Sequence, residues 1–142
     1  VKDLKYSYYS DNACKNEISE PTDPGVYYVK VTADAGVTSN IATLTIVPQT
    51  AKITTVANAT SYMTVSWNKV NKASGYYVYR STSKKGKYKK IATIKKASTL
   101  TYKDKKSLKS KKTYYYKVVA YRTENGVTAT GKASAIKSAK TK

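Results

Sequence analysis

The sequence predicts an all-β protein, on two observations. Residues that favour strands are frequent, with 15 Tyr and no Phe among 142 residues. Short runs with alternating apolar positions recur along the chain, and Pro, Gly and Asn turn signals separate them. No apolar run is long enough to span a membrane. The length suits one ordinary domain or two small ones.

The charge distribution indicates that two different segments meet near residue 50. Residues 1–50 carry 4 basic and 6 acidic side chains, whereas residues 51–142 carry 23 basic and 2 acidic ones. The second segment therefore has a net charge of +21, within a total of +19. A field of this sign attracts polyanions, with a strong dependence on salt, but does not identify which polyanion.

Residues 1–47 form the first predicted β segment. The sequence "LKYSYYS" alternates weakly, and a turn at Pro24–Gly25 then leads into an extended run from Val26 to Ala33. A second run, "NIATLTIVP", follows and ends at Pro48, so the two runs are predicted to form a β-hairpin. The pair resembles the last two strands of the immunoglobulin-like repeats of bacterial surface proteins, over about 30 residues.

That resemblance implies more strands than the first segment contains. We therefore expect residues 1–47 to be part of an immunoglobulin-like domain, or a very small domain that leans on its neighbour. Residues 48–52, "PQTAK", are the predicted linker. Because the chain begins at Val1 and not at Met, we expect it to belong to a longer protein with further domains.

Residues 53–142 are predicted to form six or seven short strands, which is typical of a β-sandwich. In "YMTVSWNKV", alternation places Met63, Val65 and Trp67 on one face. In "GYYVYRS", one face carries Tyr76 and Val78. Further strands are predicted in "KYKKIATI", "STLTYKD", "TYYYKVVAYR" and "GKASAIKSAKT", with a hairpin turn at "ENG", Glu124–Gly126.

The spacing of these strands resembles the fibronectin type III family over residues 52–142. "YMTVSW" places Trp67 where that family has a tryptophan on its second strand, and "GYYVYRS" matches its third strand. Leu108 precedes Tyr114 by six residues, as in the family, although "KSKK" replaces its usual Pro-Gly. The fold class expected is therefore all-β, a fibronectin type III sandwich in residues 53–142 preceded by a short, partial immunoglobulin-like segment.

The triple tyrosine in "LKSKKTYYYKVVAY" raises the question of whether it forms a binding patch or part of the core. The family resemblance implies that Tyr114 bonds through its hydroxyl to backbone a few residues upstream. Side chains alternate along a strand, so Tyr116, Val118 and Ala120 should point inward. Tyr115 should point outward, and the fold alone does not explain it.

Outward residues of neighbouring strands form a candidate contact face. Its members are Tyr77, Tyr79, Tyr88, Tyr115, Lys117 and Tyr121. Two interpretations stay open. The rings and amines provide a contact surface for a glycan, an anionic polymer or a protein. Alternatively, Tyr and Lys are soluble strand formers that pair across strands.

Lysines also cluster outside this face, in "SKKGKYKK", "KKSLKSKK" and the C-terminal "KSAKTK". They are interpreted as a solvated surface or as a contact for wall polymer or another polyanion. Nucleic acid is a weaker candidate because no nucleic-acid-binding motif accompanies the charge.

Residue types that most catalytic and metal sites need are missing. The sequence has no His, which excludes Ser-His-Asp and Cys-His catalysis within this chain and most zinc sites. Only Asp104 and Glu124 are acidic in the second segment, which is a poor basis for a glycosidase pair. Cys14 has no partner for an internal disulfide and no neighbouring base. No catalytic, cofactor-binding or metal-binding residue is predicted, and no cofactor.

Two functions fit these features. The first is a structural or adhesion module of a secreted or cell-wall-associated bacterial protein, similar to Lys/Tyr-rich surface proteins of Gram-positive clostridia. Its expected partners are anionic cell-wall polymer, glycan, a host or surface protein, and adjacent domains of the parent chain. The second is an accessory module of a secreted polysaccharide hydrolase or peptidase.

Overall fold

Antiparallel strands provide the regular secondary structure of this computed structural model, which describes residues 4–33 and 36–142. Contacts between residues divide the chain into two compact units. The first consists of Val1–Ile46 with Thr123–Ala129, and the second of Val47–Arg122 with Thr130–Lys142. The predicted first segment includes residues 1–3 and 34–35, which lie outside the described residues.

The first unit contains a four-stranded antiparallel sheet with the strand order β2-β1-β3-β4. Its strands are β1 (Lys5–Tyr9), β2 (Glu17–Ile18), β3 (Gly25–Thr32) and β4 (Ala42–Ile46). The predicted hairpin is confirmed, because β3 pairs with β4 from Gly25 opposite Ile46 to Val29 opposite Ala42. The Tyr27 side chain is buried, and its hydroxyl donates a hydrogen bond to the Asp23 carbonyl at 3.0 Å.

The remaining strands form two sheets. They are β5 (Ile53–Asn58), β6 (Met63–Trp67), β7 (Gly75–Ser81), β8 (Lys89–Ile94), β9 (Thr101–Asp104), β10 (Thr113–Glu124), β11 (Val127–Thr130) and β12 (Lys137–Lys140). One sheet has the order β5-β6-β9, and the other has the order β11-β10-β7-β8, with β12 also paired to β10. The predicted all-β class and sandwich strands are confirmed. β11 was implied only by the predicted hairpin turn before it, and β5 was not predicted.

The core lies between these two sheets, and period-two alternation explains its composition. Met63, Val65 and Trp67 alternate with less buried residues along β6, as predicted. From the facing sheet, β7 contributes Tyr76 and Val78. The rings of Trp67 and Tyr76 meet edge to face, with 5.4 Å between their centroids.

The tight turn between β10 and β11 matches its sequence. Asn125 and Gly126 connect the two strands and have φ angles of 48° and 76°. A two-residue hairpin with both central residues at positive φ suits the right-handed twist of the strands, and Asn-Gly adopts it at low cost. The predicted hairpin turn at Glu124–Gly126 is therefore confirmed.

Candidate contact surface

The structure assigns the first and third tyrosines of the triple to the core. Tyr114 and Tyr116 are 3% and 0% exposed, and Val118 and Ala120 continue the inward row. The Lys109 backbone N–H donates to the Tyr114 hydroxyl at 2.9 Å, which is the upstream backbone bond that the family resemblance implied. The predicted alternation of β10 is thus confirmed on its inward side.

The outward side of β10 lies beside that of β7, as the sequence predicted. In the ladder between the two strands, Lys117 is opposite Tyr79 and Val119 is opposite Tyr77. Tyr115 is two positions from Lys117, so it is a diagonal neighbour of Tyr79. Tyr88 lies immediately before β8 and not on a strand, which differs from the expected position.

Two of the predicted face residues are engaged with each other. The rings of Tyr77 and Tyr121 stack with centroids 4.5 Å apart and an angle of 16° between their planes. Tyr121 is only 7% exposed, and burial is the largest cause of its raised pKa, followed by the nearby Tyr77 hydroxyl. The Tyr121 hydroxyl donates to the Ile94 carbonyl at 3.4 Å. Tyr121 therefore packs against the Tyr77 ring and exposes little surface to a ligand.

Lysine ammonium groups lie over two of the rings. Lys90 Nζ is 4.4 Å from the Tyr77 ring centroid, and Lys117 Nζ is 4.3 Å from the Tyr88 centroid. Tyr88 is further anchored by its hydroxyl, which donates to the Lys84 carbonyl at 3.0 Å. Burial raises the pKa of Tyr88, and the neighbouring Tyr115 hydroxyl adds to this rise.

These contacts divide the predicted face into residues held by other side chains or carbonyls and residues that can contact a ligand. Tyr77, Tyr88 and Tyr121 are held by rings, ammonium groups or carbonyls. Tyr79 and Tyr115 are half-buried diagonal neighbours beside Lys117. We name Tyr79, Tyr115 and Lys117, together with Lys90, the tyrosine–lysine face.

Sequence reasoning missed Lys90 as a member of this face. Lys90 is directly opposite Tyr79 in the β7–β8 ladder. The register of this ladder shifts between Val78 and Tyr79, and such a bulge puts an additional residue into one strand. Simple alternation along β8 therefore cannot predict which face of the sheet carries the residues beyond that shift.

A buried carboxylate was also missed. Asp104 is fully buried on β9, where its Oδ2 accepts hydrogen bonds from Arg80 Nη1 at 2.8 Å and from the Tyr116 hydroxyl at 2.9 Å. Its Oδ1 accepts the Lys106 backbone N–H at 3.1 Å. These bonds connect the two sheets, since β9 belongs to one sheet and Arg80 and Tyr116 belong to the other. Asp104 therefore has a structural role.

Asp11 and Cys14 of the first unit have local roles. Asp11 accepts backbone N–H groups of Ala13, Lys15 and Asn16, and the bond from Asn16 is the largest cause of its lowered pKa. Cys14 lies in the same turn at a φ of 51° and is half-buried. Among residues 4–33 and 36–142, no cluster of His, Cys, Asp or Glu could hold a metal ion, and no helix could cross a membrane.

Comparison with known proteins matches this architecture to solved structures. A two-domain fibronectin type III segment of chicken tenascin aligns over 96% of this chain and 83% of its own, with a TM-score of 0.62 and 18% identity. The β-1,2-glucanase of Parabacteroides distasonis aligns over 80% of this chain and 17% of its own, with a TM-score of 0.56 and 20% identity.

A fibronectin-III-like protein from Clostridium thermocellum aligns over 68% of this chain and 91% of its own, with 28% identity and a TM-score of 0.48. No protein-family model matches the chain, and no curated protein matches it. The two-sheet architecture and its match to tenascin establish that the chain has the fibronectin type III fold.

Proposed function

We propose that the chain is a non-catalytic extracellular module of a bacterial cell-surface or secreted protein. It spaces or displays neighbouring domains, and its tyrosine–lysine face contacts an anionic wall polymer, a glycan or a surface protein. The fold supports this proposal because the fibronectin type III sandwich is typical of cell-surface and other extracellular modules. Within this proposal, residues 1–47 and 53–142 are separate structural segments joined by residues 48–52.

The placement of Tyr79 and Tyr115 is the observation that carries the contact role. The two rings are neighbours on one sheet surface and are partly accessible to solvent. Lys117 and Lys90 are each directly opposite Tyr79, on either side of β7. Flat rings stack on the faces of sugar rings and on planar groups, and ammonium groups neutralise anionic groups.

Binding measured at two salt concentrations tests this role. The intact chain should be retained on insoluble anionic wall polymer or glycan at low salt, and a part of the retention should persist at high salt. Purely electrostatic binding fades steadily as salt rises, whereas stacking is less sensitive. The double variant Tyr79→Ser with Tyr115→Ser should lose the salt-resistant part.

A matched control removes two tyrosines elsewhere without changing the charge. Tyr6 is 54% exposed on β1, and Tyr62 lies outside the tyrosine–lysine face beneath Lys103. Tyr6→Ser with Tyr62→Ser should leave the salt-resistant retention intact. Absence of retention at low salt, or equal losses in both double variants, would show that the face does not bind.

The second candidate is an accessory module of a secreted polysaccharide hydrolase or peptidase. The match to the P. distasonis β-1,2-glucanase favours it, since this chain aligns to 17% of that longer protein. Both candidates predict that the purified chain hydrolyses neither polysaccharides nor peptides. Turnover that survives repurification and is lost on replacing the exposed Glu124 would contradict both.

The complete open reading frame separates the two candidates. Tandem β repeats beside this segment would favour the surface module, and a catalytic domain upstream would favour the accessory module. Either result leaves the binding test of the tyrosine–lysine face unchanged.

A further inference from the structure

A small cavity lies where β7 ends and β8 begins. Its volume is about 260 Å³, and it is lined by Arg80, Ser81, Thr82, Lys87, Lys89 and Ile91. Pockets for drug-sized ligands span roughly 300–1,000 Å³, so this cavity suits a smaller group. Three of the six lining residues are cationic, and none is acidic.

Two cationic residues of the cavity lie on opposite positions of neighbouring strands. Arg80 is opposite Lys89 in the antiparallel β7–β8 ladder. Like charges in this position repel and destabilise a sheet. Lys87 lies two residues before Lys89 and lines the same cavity. An anion between these side chains would convert this repulsion into attraction.

The Asp104 carboxylate lies near this cavity, but it does not neutralise the positive charge of the lining residues. Asp104 pairs with Arg80 Nη1 but is fully buried, and the Tyr116 hydroxyl also donates to it. An additional cation lies close by, because Lys106 Nζ donates to the carbonyl of the cavity residue Ile91 at 2.9 Å. The surroundings of the cavity thus remain strongly positive.

Arg80 is held in a fixed orientation for a ligand. Its Nη1 donates to Asp104 and to the Lys106 carbonyl, at 2.8 and 2.7 Å, and its guanidinium lies 5.0 Å from the Tyr114 ring centroid. These two bonds use one nitrogen of the guanidinium, which has five N–H donors in total. A guanidinium positioned in this way suits the oxygens of a phosphate.

We propose that this cavity binds a phosphate group through Arg80, Lys87 and Lys89, either as free phosphate or as part of a phosphodiester. A tetrahedral phosphate offers oxygens to cations that approach from different sides, whereas a carboxylate offers two oxygens in one plane. Ser81 adds a hydroxyl, whose oxygen accepts the Ser83 N–H at 3.2 Å and whose hydrogen can point to a ligand. The site does not depend on the tyrosine–lysine face.

Titration with inorganic phosphate tests this site in the complete chain. Ionic strength is held constant with NaCl, and backbone amide shifts are followed by NMR. Binding should saturate, with the largest shifts between residues 80 and 91. The variant Lys87→Gln with Lys89→Gln should bind about tenfold more weakly, because it loses two charge-assisted contacts.

The same loop provides a control of equal charge. Lys84 and Lys85 are exposed and do not line the cavity. Lys84→Gln with Lys85→Gln removes the same charge and should leave the affinity within about twofold, since its cavity contacts are intact. Equal weakening in both variants, shifts centred outside residues 80–91, or a lack of saturation would each overturn the proposal.

Two further ligands identify the source of the phosphate. Dimethyl phosphate that saturates the same amides as tightly as inorganic phosphate would indicate a phosphodiester polymer. Binding confined to inorganic phosphate would indicate the free anion, and both results support the site. Acetate that binds as tightly as phosphate would overturn the assignment to phosphate.

Discussion

At the residue scale, buried tyrosine hydroxyls form hydrogen bonds that Phe could not form. The chain has no Phe. The Tyr76 hydroxyl accepts the Val70 N–H at 3.0 Å, and the Tyr116 hydroxyl donates to Asp104 at 2.9 Å. Both side chains are fully buried. A buried hydroxyl needs such a partner, so the core depends on hydrogen bonds as well as on apolar contact.

Tyr114→Phe should destabilise the chain, although it removes a single oxygen. The Lys109 N–H would lose its acceptor in a part-buried position, which costs about 1–2 kcal/mol. Tyr115→Phe is the matched control, because Tyr115 points outward from the same strand, and its cost should be close to zero. Urea unfolding measures both, and equal losses would show that the inward and outward assignment of β10 is wrong.

Tyr116 should make stability depend on alkaline pH. Burial, and then the charge and hydrogen bond of Asp104, raise the pKa of Tyr116 far above its ordinary value of 10.0. Above pH 10 the unfolded chain releases this proton while the folded chain keeps it. The free energy of unfolding therefore falls as pH rises, by up to about 1.4 kcal/mol for each pH unit.

Tyr116→Phe isolates this contribution, because the other tyrosines and lysines titrate in both proteins. Below the unfolded pKa the wild type should be the more stable of the two, and its advantage should shrink between pH 9 and pH 11. Urea unfolding at pH 9, 10 and 11 measures the difference. Parallel loss of stability in both proteins would contradict a protonated Tyr116 in the folded state.

At the element scale, strict alternation made β6 predictable, whereas a register shift hid β5. β6 alternates strictly, so Met63, Val65 and Trp67 were assigned correctly. In β5 a register shift between Ile53 and Thr55 interrupts the period of two, which hides the strand in the sequence. β11 has only four residues and buries Ala129 alone, so its alternation is too short to identify a strand by itself.

The candidate face was predictable in its positions but not in its contacts. Alternation placed Tyr77 and Tyr121 on the outward side, and it could not show that their rings stack and bury Tyr121. The Asp104 network was also inaccessible to sequence reasoning, because Arg80 and Tyr116 lie 24 and 12 residues away along the chain. Such pairs meet only once the two sheets pack.

Gly75→Ala should disrupt the start of β7 for a steric reason. A Cβ at this buried position would collide with the Ile94 carbonyl oxygen and lie 2.7 Å from the Tyr121 hydroxyl. The backbone oxygen cannot rotate away, so we expect a loss of about 3 kcal/mol, at the upper end for overpacking. Urea unfolding gives this loss, and near-ultraviolet circular dichroism should report the disturbed Tyr77–Tyr121 stack.

Gly126→Ala is the contrasting control. A Cβ at Gly126 would meet nothing within 4 Å, so the expected cost of about 1 kcal/mol comes from its φ of 76° alone. The tyrosine signal should stay unchanged in this variant. If Gly75→Ala lowers the free energy of unfolding no more than Gly126→Ala does, the predicted collision with the Ile94 carbonyl is wrong.

At the scale of the whole molecule, the net charge is large and positive. The chain has a net charge of +19, and residues 51–142 hold 23 of its 27 basic side chains. The Arg80–Asp104 pair neutralises one cation of this charge, and the ammonium groups over tyrosine rings keep theirs. A net charge far from zero attracts polyanions and also destabilises a compact chain through self-repulsion.

Added salt should therefore stabilise the chain. Raising NaCl from about 10 mM to 200 mM shortens the Debye length from roughly 30 Å to below 10 Å and screens repulsion between distant lysines. We expect the melting temperature to rise by several degrees, where about 1 kcal/mol corresponds to roughly 4–8 °C for a domain of this size.

Trp67 is the only tryptophan and is 3% exposed, so its fluorescence reports the core of residues 53–142. A variant with Gln at the exposed positions Lys84, Lys85, Lys95 and Lys96 should melt higher at low salt and gain less from NaCl. A melting temperature that falls with NaCl in the wild type would show that attractive charge pairs outweigh the repulsion.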